Sequence, residues 1–198
     1  MGKKMVQSRA WAKQQLILNA ALEVLYTGGP SAITYRAVAG KAGIPVSGVS
    51  YYFPTLVELV QAAFAHYFTL LVSKITGNIL SGMGESRDLK LLARLFTDEI
   101  FARDKPSLLP LYETLLMAAR HPELYSAATD AIAQLPRAVT AGLNSMEVPE
   151  SEVLGPAIIA IIDGFSIRGI QPGNHTPWNR EAFQRSLEFL FLGALSGR

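Results

Sequence analysis

The stretch TYRAVAGKAGIPVSGVSYYF, residues 34–53, has the pattern of two short helices joined by a tight turn. Val38 lies on a small apolar face of the first helix, and Gly43 follows where the turn needs a residue that tolerates positive φ. Pro45 has the φ of a first helical residue, and Val49 continues the apolar face at helical spacing. Helix, glycine turn and helix form the helix-turn-helix plan, whose second helix enters the major groove of DNA. A plain helical hairpin is the alternative that these residues leave open.

The same segment resembles the DNA-binding domain of the TetR family of transcriptional repressors. A glycine break at Gly28-Gly29 ends the first helix, and Thr34 opens the second. Ala42-Gly43-Ile44 then forms the turn, and Tyr51-Tyr52-Phe53 ends the recognition helix. The likeness is detailed over residues 1–60 and continues beyond them as helix order and length.

The resemblance implies an all-α fold of nine helices in two domains. Residues 1–54 would form a three-helix, helix-turn-helix DNA-binding domain, and residues 55–198 a six-helix bundle for effector binding and dimerisation. We expect Ser8 to cap the first helix. Pro136 lies inside the seventh helical pattern, where we expect a kink or a split. No segment shows the alternation of a strand.

Composition narrows the class of protein. Of 198 residues, 49% are apolar and 17% are charged, so a sizeable core is expected and disorder is not. The chain has no cysteine, which excludes disulfides and thiolate zinc sites and fits a reducing compartment. The N-terminus lacks the apolar segment of a secretory signal, and we expect no apolar run of membrane-spanning length. The prediction is a cytoplasmic protein without a membrane partner.

Charge is distributed unevenly along the chain. The net charge is +2, but residues 1–60 hold six basic and two acidic residues, so the remainder is slightly acidic. A basic N-terminal third is typical of a nucleic-acid-binding domain. A basic solubilising tail is the alternative, although the segment stays basic without Lys3 and Lys4.

The family resemblance implies that seven positions contact double-stranded operator DNA. They are Thr34, Tyr35, Arg36, Val46, Ser47, Tyr51 and Tyr52. Among them Arg36 best suits a bidentate contact to guanine, and we expect the Tyr52 hydroxyl on a phosphate. For Tyr35 and Tyr51, packing in the small core of the domain is the alternative. The recognition helix has no Arg, Lys, Asn or Gln, so DNA shape should contribute much of the specificity.

Two positions depart from the family pattern. Leu56 stands where many members carry Lys at the start of the fourth helix, so a phosphate contact is expected to be lost there. Gly48, inside the recognition helix, costs about 1 kcal/mol relative to Ala. It either lets the backbone approach DNA closely or simply weakens the helix.

Apolar residues repeat at helical spacing in the last two predicted helices. The set that we assign to a homodimer interface is Ile158, Ile161, Ile162, Phe165, Leu187, Leu190, Phe191 and Ala194. Two such helices from each of two chains would make a four-helix interface. The segment IIDGFSIRGI, residues 161–170, also resembles the eighth helix of the family. The alternative is that these helices only complete the core of one chain.

The family binds a small effector among its middle helices, which here are rich in aromatic residues and Met. We expect Tyr112, Glu113, Leu116, Met117 and Phe165 to line such a site. The set is mostly apolar, so the expected effector is largely apolar too. Ordinary core packing is the alternative for each residue.

Catalysis and metal binding have little support in the sequence. The three histidines, His66, His121 and His175, are far apart, and no HExxH, P-loop, G-x-S-x-G or G-x-G-x-x-G motif occurs. We therefore predict no catalytic residue, no metal and no cofactor. The predicted function is a DNA-binding transcriptional regulator, a repressor released by a small effector. The competing hypothesis is an all-α carrier of hydrophobic ligands, or an all-α enzyme, without DNA binding.

Overall fold

In the computed structural model, the described residues are 2–101, 109–121, 130, 133–169 and 180–196. Across these residues the chain forms nine α-helices and no strand, so the predicted all-α class is confirmed. A short 3-10 helix, Pro30–Ala32, lies between the first two. The helices are α1 (Gly2–Gly28), α2 (Tyr35–Ala42), α3 (Val46–Tyr52), α4 (Leu56–Met83), α5 (Leu89–Phe101), α6 (Leu109–Arg120), α7 (Gln134–Ser145), α8 (Ser151–Gly169) and α9 (Arg180–Ser196).

The chain packs as two compact units. The first contains Met1–Tyr67 with Leu109–Ala131, and the second contains Phe68–Leu108 with Ile132–Arg198. The division falls inside α4, whose first half belongs to one unit and whose second half belongs to the other. The functional boundary between residues 54 and 55 stays a prediction.

Helix ends follow the local chemistry of their residues. The Thr34 side chain accepts a hydrogen bond from the Ala37 amide at 3.1 Å, which makes it the predicted N-cap of α2. Gly43 has φ 63° and ψ 34°, the left-handed conformation that glycine adopts without strain. Pro45 has ψ 149°, an extended conformation, so it is the N-cap residue that precedes α3 and not the first residue of the helix. Ser8 lies inside α1, which begins at Gly2, because Lys3 to Gln7 contains no helix breaker.

The first unit has a small apolar core built around α1. Ile17 and Leu25 of α1, Val38 of α2, Val49 of α3 and Phe64 of α4 have no exposed side-chain area. Because α2 and α3 each contribute few buried residues, they depend for their position on α1, which packs against α2, and on each other. That packing fixes the direction in which the opposite face of α2 and α3 points.

The second unit has a larger core formed by α5, α7, α8, α9 and the second half of α4. Helices α7 and α8 cross closely because Gly155 has no side chain, and a Cβ there would lie 3.1 Å from the Thr140 amide nitrogen. Pro136 lies in the first turn of α7, where its missing N–H costs no helical hydrogen bond. Most of the predicted seventh helix before Gln134 falls outside the described residues.

Helix α4 is long and apolar enough to cross a membrane by composition alone. An 18-residue window within Leu56–Met83 has a mean hydropathy of 1.4, so the expectation that no such run exists was wrong. Polar residues such as Gln61 and His66 interrupt the run and conceal it in the sequence. Phe64 of this helix is buried in the first unit and Ile75 in the second, so α4 contributes side chains to both cores.

Candidate functional site

Helices α2 and α3 present one buried and one exposed face. Val49 has no exposed area and Phe53 is 8% exposed, so both belong to the core. On the opposite side Val46 is 47% and Tyr51 is 79% exposed. Val46 and Tyr51 therefore give α3 an exposed apolar face, and the basic Arg36 is exposed on α2.

The seven predicted DNA contacts fall into two groups by exposure. Five side chains are exposed: Thr34, Arg36, Val46, Ser47 and Tyr51. The other two, Tyr35 and Tyr52, are partly buried. The Thr34 oxygen already accepts the Ala37 amide, but its hydroxyl hydrogen remains able to donate to a phosphate. Their contact with DNA stays a prediction.

Tyr35 ties the start of α2 to the end of α3. Its hydroxyl donates a hydrogen bond to the Phe53 carbonyl at 2.7 Å, across 18 residues of sequence. Burial raises the pKa of the Tyr35 hydroxyl, and the Glu58 carboxylate raises it further, so the donor stays protonated at neutral pH. Because that hydrogen is in use, the hydroxyl is not available as a donor to a phosphate.

We expect Tyr35→Phe to loosen the helix-turn-helix without disturbing its surface. Loss of the hydroxyl leaves the Phe53 carbonyl without this donor and should lower the free energy of unfolding by about 1 kcal/mol. Urea denaturation followed by circular dichroism measures this. The matched control is Tyr51→Phe, whose side chain is largely exposed and whose stability should stay at the wild-type value. Equal stability of the two variants would mean that the Tyr35 bond contributes nothing.

Two tyrosine rings meet at the end of α3. The Tyr51 and Tyr52 ring centroids lie 5.1 Å apart at 88°, an edge-to-face contact. The partly buried Tyr52 therefore supports the exposed Tyr51 and limits its rotation. This favours Tyr51 as a surface contact over the alternative that it packs in the core.

Charged residues around α2 differ in whether they are already paired. Lys41 forms an exposed ion pair with Glu23 of α1, with a nitrogen–oxygen distance of 3.4 Å. Arg36 forms no ion pair with any side chain that the structure describes. Of the two basic residues on α2, Arg36 is therefore the one whose charge is available to a ligand.

The start of α4 carries an N-cap that we did not predict from the sequence. Thr55 accepts a hydrogen bond from the Glu58 amide at 3.1 Å, and the Thr-x-x-Glu spacing is a recognisable signal for such a helix start. Leu56, which replaces the expected Lys, is 41% exposed. The helix start next to α3 therefore carries no basic side chain of its own.

The predicted effector residues lie in both units. Four of them belong to α6 in the first unit: Tyr112, Glu113, Leu116 and Met117. The fifth, Phe165 of α8, belongs to the second unit, where its ring centroid lies 5.2 Å from that of Phe183. Tyr112 is buried and Leu116 is 59% exposed. A single ligand site built from all five stays a prediction.

Glu113 packs against the break between α1 and α2. Gly29 has φ 74°, and a Cβ added there would lie 2.6 Å from a Glu113 carboxylate oxygen. The positive φ favours glycine at position 29, because L side chains rarely adopt that conformation. The neighbouring Glu113 carboxylate belongs to a flexible side chain of α6, and the sequence does not reveal this contact.

Four of the eight predicted interface residues are core residues of their own chain. At most 8% of the surface of each is exposed, so a partner chain could bury little more of it; the four are Ile158, Ile162, Leu187 and Phe191. The other four, Ile161, Phe165, Leu190 and Ala194, are partly buried. Both helices are apolar on more than one face, and helical spacing alone does not say which face points inward.

The exposed apolar residues of α8 and α9 lie on a different stripe. On α8, Val153 is 64% and Ile167 is 50% exposed, with the small residues Ala160 and Gly164 between them at helical spacing. On α9, three large apolar side chains are at least half exposed: Phe189, Leu192 and Leu195. We call these seven residues the α8–α9 stripe. Such an apolar surface on adjacent helices is typical of an association surface.

No group of three metal-ligating side chains comes together among the residues that the structure describes. Ser166 is a buried hydroxyl whose oxygen has no hydrogen-bond partner in that part of the chain. Neither observation supplies a catalytic arrangement.

Two family models match the chain. One, described as "Bacterial regulatory proteins, tetR family", matches residues 17–63. The other, described as "Tetracyclin repressor-like, C-terminal domain", matches residues 87–191, which is more than half of the chain. No curated protein sequence matches the chain at a significant level.

Solved structures with the same fold include a protein with known small ligands. The multidrug binding protein EbrR in complex with imidazole is 25% identical, with a TM-score of 0.63 over 90% of this chain and 89% of that one. Its complex with ethidium is 24% identical, with a TM-score of 0.68 over 90% and 98%. SCO7518 from Streptomyces coelicolor A3(2) is 18% identical, with a TM-score of 0.71 over 90% and 98%. These likenesses show the fold: an N-terminal helix-turn-helix domain followed by a helical domain.

Proposed function

This chain belongs to the TetR family of bacterial regulatory proteins, and on that premise we propose that it is a homodimeric repressor released from its operator by a small, largely apolar effector. Members of the family are DNA-binding transcriptional regulators. The observation that carries the proposal is the exposed face of α2 and α3, where Arg36 and Tyr51 project from a helix-turn-helix whose other face is buried. The competing carrier or enzyme is not favoured, because residues 17–63 match the DNA-binding domain.

The proposed DNA contacts divide by chemistry. Arg36 reads a guanine edge in the major groove, and Val46 contacts a thymine methyl group. Thr34, Ser47 and Tyr52 use hydroxyl groups on phosphates, which fixes the register of the protein on the duplex. Tyr51 adds contact area beside them. Tyr35 contributes its ring at most, since its hydroxyl holds the end of α3.

Gly48 offers a test of how closely α3 approaches DNA. A Cβ at this position would meet only Ile44 side-chain carbons, at 3.5 Å or more, so packing within the chain does not require glycine. Gly48→Ala should raise the free energy of unfolding by about 1 kcal/mol through helix propensity. We expect operator affinity to fall about tenfold all the same, because the added methyl group separates helix and groove.

The matched control for Gly48 is Gly77→Ala in α4, where a Cβ would meet nothing within 4 Å. It should gain similar stability and keep the wild-type operator affinity in fluorescence anisotropy. If Gly48→Ala binds operator as tightly as this control does, Gly48 is a plain weakness of the helix and not a contact point.

The proposed dimer forms through the α8–α9 stripe. Small residues such as Ala160 and Gly164 allow two helix backbones to approach closely, and Phe189 supplies a large apolar contact beside them. Dimerisation would place two copies of α3 on successive half-sites of one operator. A four-helix interface of this kind keeps the predicted helices but uses the seven exposed residues of the stripe instead of the eight predicted ones, which are buried or partly buried.

The proposed effector acts through α4. This helix begins three residues after Phe53, at the end of α3, and continues to Met83 in the core of the second unit. A ligand that shifts α4 can therefore change the spacing of the two recognition helices. EbrR, a structural relative, is a multidrug binding protein that takes ethidium and proflavin. We expect a coupling between effector and operator of about 1–3 kcal/mol, equal in both directions.

Thermal-shift screening of small apolar compounds, followed by operator titrations with and without each hit, tests the proposed function. Release from DNA by a compound that binds the protein is the expected result. A set of hits that never changes operator affinity would exclude ligand-gated repression. We also propose a cytoplasmic location, consistent with a cysteine-free chain that acts on DNA.

A further inference from the structure

Helix α7 ends in a Schellman motif that has a glutamate where glycine is usual. The Glu147 N–H donates to the Asn144 carbonyl at 3.0 Å. The Val148 N–H donates to the Leu143 carbonyl at 3.1 Å, which completes the motif. Glu147 occupies its left-handed position, with φ 58°. A side chain is strained in that conformation and glycine is not, so Glu147 destabilises this helix end relative to glycine.

The Glu147 side chain pairs with a residue of another loop. Its carboxylate accepts a hydrogen bond from the Arg87 guanidinium at 2.7 Å, across 60 residues of sequence. Arg87 lies between α4 and α5, just after Gly84, whose φ is 52°. The side chains of Arg87 and Glu147 are 61% and 77% exposed, and an ion pair exposed to this degree contributes little to stability. Stability alone therefore does not account for a glutamate at position 147.

The ion pair lies between two openings in the second unit. The larger, of about 690 Å³, is enclosed by the second half of α4, the start of α5 and α7. The smaller, of about 370 Å³, lies between the start of α5, the loop after α7 and the second half of α9. Of the residues that the structure describes, only Arg87 and Met146 line both. These two side chains therefore separate the openings.

The two separating side chains are free to move at little cost. In the described part of the chain, the Glu147 carboxylate is the one side-chain partner of Arg87. Met146 packs at the edge of the core and is partly buried, and its thioether changes rotamer easily. Rotation of Arg87 away from Glu147 therefore breaks one exposed contact and uncovers the boundary between the openings.

We propose that the Arg87–Glu147 ion pair is a gate in the second unit: when the pair breaks, the two openings join, and small molecules reach the interior from the α9 side. The strained Glu147 serves this role, because glycine would remove the carboxylate that closes the gate. An exposed ion pair suits a gate, since it shifts the open population by only about fivefold. The gate is a property of this unit and holds whether or not the chain represses transcription.

Glu147→Gly removes the carboxylate and the backbone strain together. It should melt close to the wild-type temperature in circular dichroism, because relief of strain offsets the lost ion pair, and yet the gate should open. The matched control is Glu150→Gly. Glu150 is also left-handed, with φ 57°, but it lines neither opening. This control should be at least as stable as wild type and keep the gate closed.

The probe is hydrogen peroxide, a small uncharged oxidant that converts methionine to its sulfoxide. Met83 lines only the larger opening and is 6% exposed, so its oxidation rate reports access to the interior. Mass spectrometry should show Met83 oxidised about fivefold faster in Glu147→Gly than in wild type, and at the wild-type rate in Glu150→Gly. Met117 of α6, in the first unit, should react at one rate in all variants.

Charge reversal tests whether the pair closes the gate, and not either residue alone. Arg87→Glu should accelerate Met83 oxidation, and Glu147→Arg added to the same chain should restore the wild-type rate. Salt should act in opposite directions. High salt screens the attraction in wild type and speeds oxidation, whereas in Arg87→Glu it screens the repulsion and slows oxidation.

Three results would overturn the proposal. They are an unchanged Met83 rate in Glu147→Gly, an equal acceleration in Glu150→Gly, and a double variant that oxidises as fast as Arg87→Glu does. An accelerated Met83 rate in Glu147→Gly that comes with a much lower melting temperature would indicate partial unfolding, and it would exclude the gate as well.

Discussion

Phe189→Asp should convert the protein from a dimer to a monomer and remove operator binding at concentrations where wild type binds fully. Phe189 is 65% exposed on α9, within the α8–α9 stripe. Burying a carboxylate at an apolar interface should cost several kcal/mol, enough to separate the subunits at micromolar concentration. Light scattering should then give the 21.5 kDa of one chain instead of twice that mass.

The control for this variant is Leu70→Asp, the same kind of change at an exposed apolar residue of α4 outside the stripe. It should remain dimeric and bind operator as wild type does. A dimeric Phe189→Asp protein would place the interface elsewhere, and a monomeric wild type would exclude the homodimer. Ile162→Asp is unsuitable because Ile162 is 8% exposed, so the charge would unfold the chain's own core.

Arg36→Ala should weaken specific operator binding by about 1–3 kcal/mol and relax base preference at one position in each half-site. Arg36 is exposed at the start of α2 and has no ion-pair partner among the described side chains. Anisotropy titrations on the operator and on single-base variants measure both effects. Titrations at several salt concentrations show whether the guanidinium touches a base or a phosphate.

A phosphate contact gives a different pattern from a base contact. All sequences should then weaken alike, and the salt slope should fall by about one for each half-site. Lys41→Ala is the matched control, since this exposed lysine already pairs with Glu23 of α1. Equal losses of operator affinity in Arg36→Ala and Lys41→Ala would mean that Arg36 contributes only through its positive charge.

Features set by neighbouring residues could be predicted from the sequence. Thr34 caps α2 and Gly43 turns the chain because each acts on atoms a few residues away. The inward direction of Val49 and the outward direction of Val46 follow from helical spacing in a helix with one apolar face, whereas the spacing left the direction of Tyr51 open. The family resemblance rests on these same local features, which explains why it was correct.

Features that join distant residues could not be predicted. The Tyr35 hydroxyl reaches the Phe53 carbonyl 18 residues away, and the sequence offers no spacing rule for such a bond. Glu113 meets Gly29 only because α6 folds back on the break after α1. Helical spacing found the apolar surfaces of α8 and α9 but not which surface faces the core, because both helices are apolar on several sides.

Selection of binding sites from a random pool of duplex DNA by the wild-type protein tests the central claim most directly. A dimer that reads DNA through α3 of each chain should enrich a site with twofold symmetry, its half-sites about one helical turn apart. Enrichment of such a site, with loss of enrichment in Phe189→Asp, is the predicted result. A pool that shows no enriched sequence at low salt would contradict the account, because the exposed face of α2 and α3 would then not read DNA.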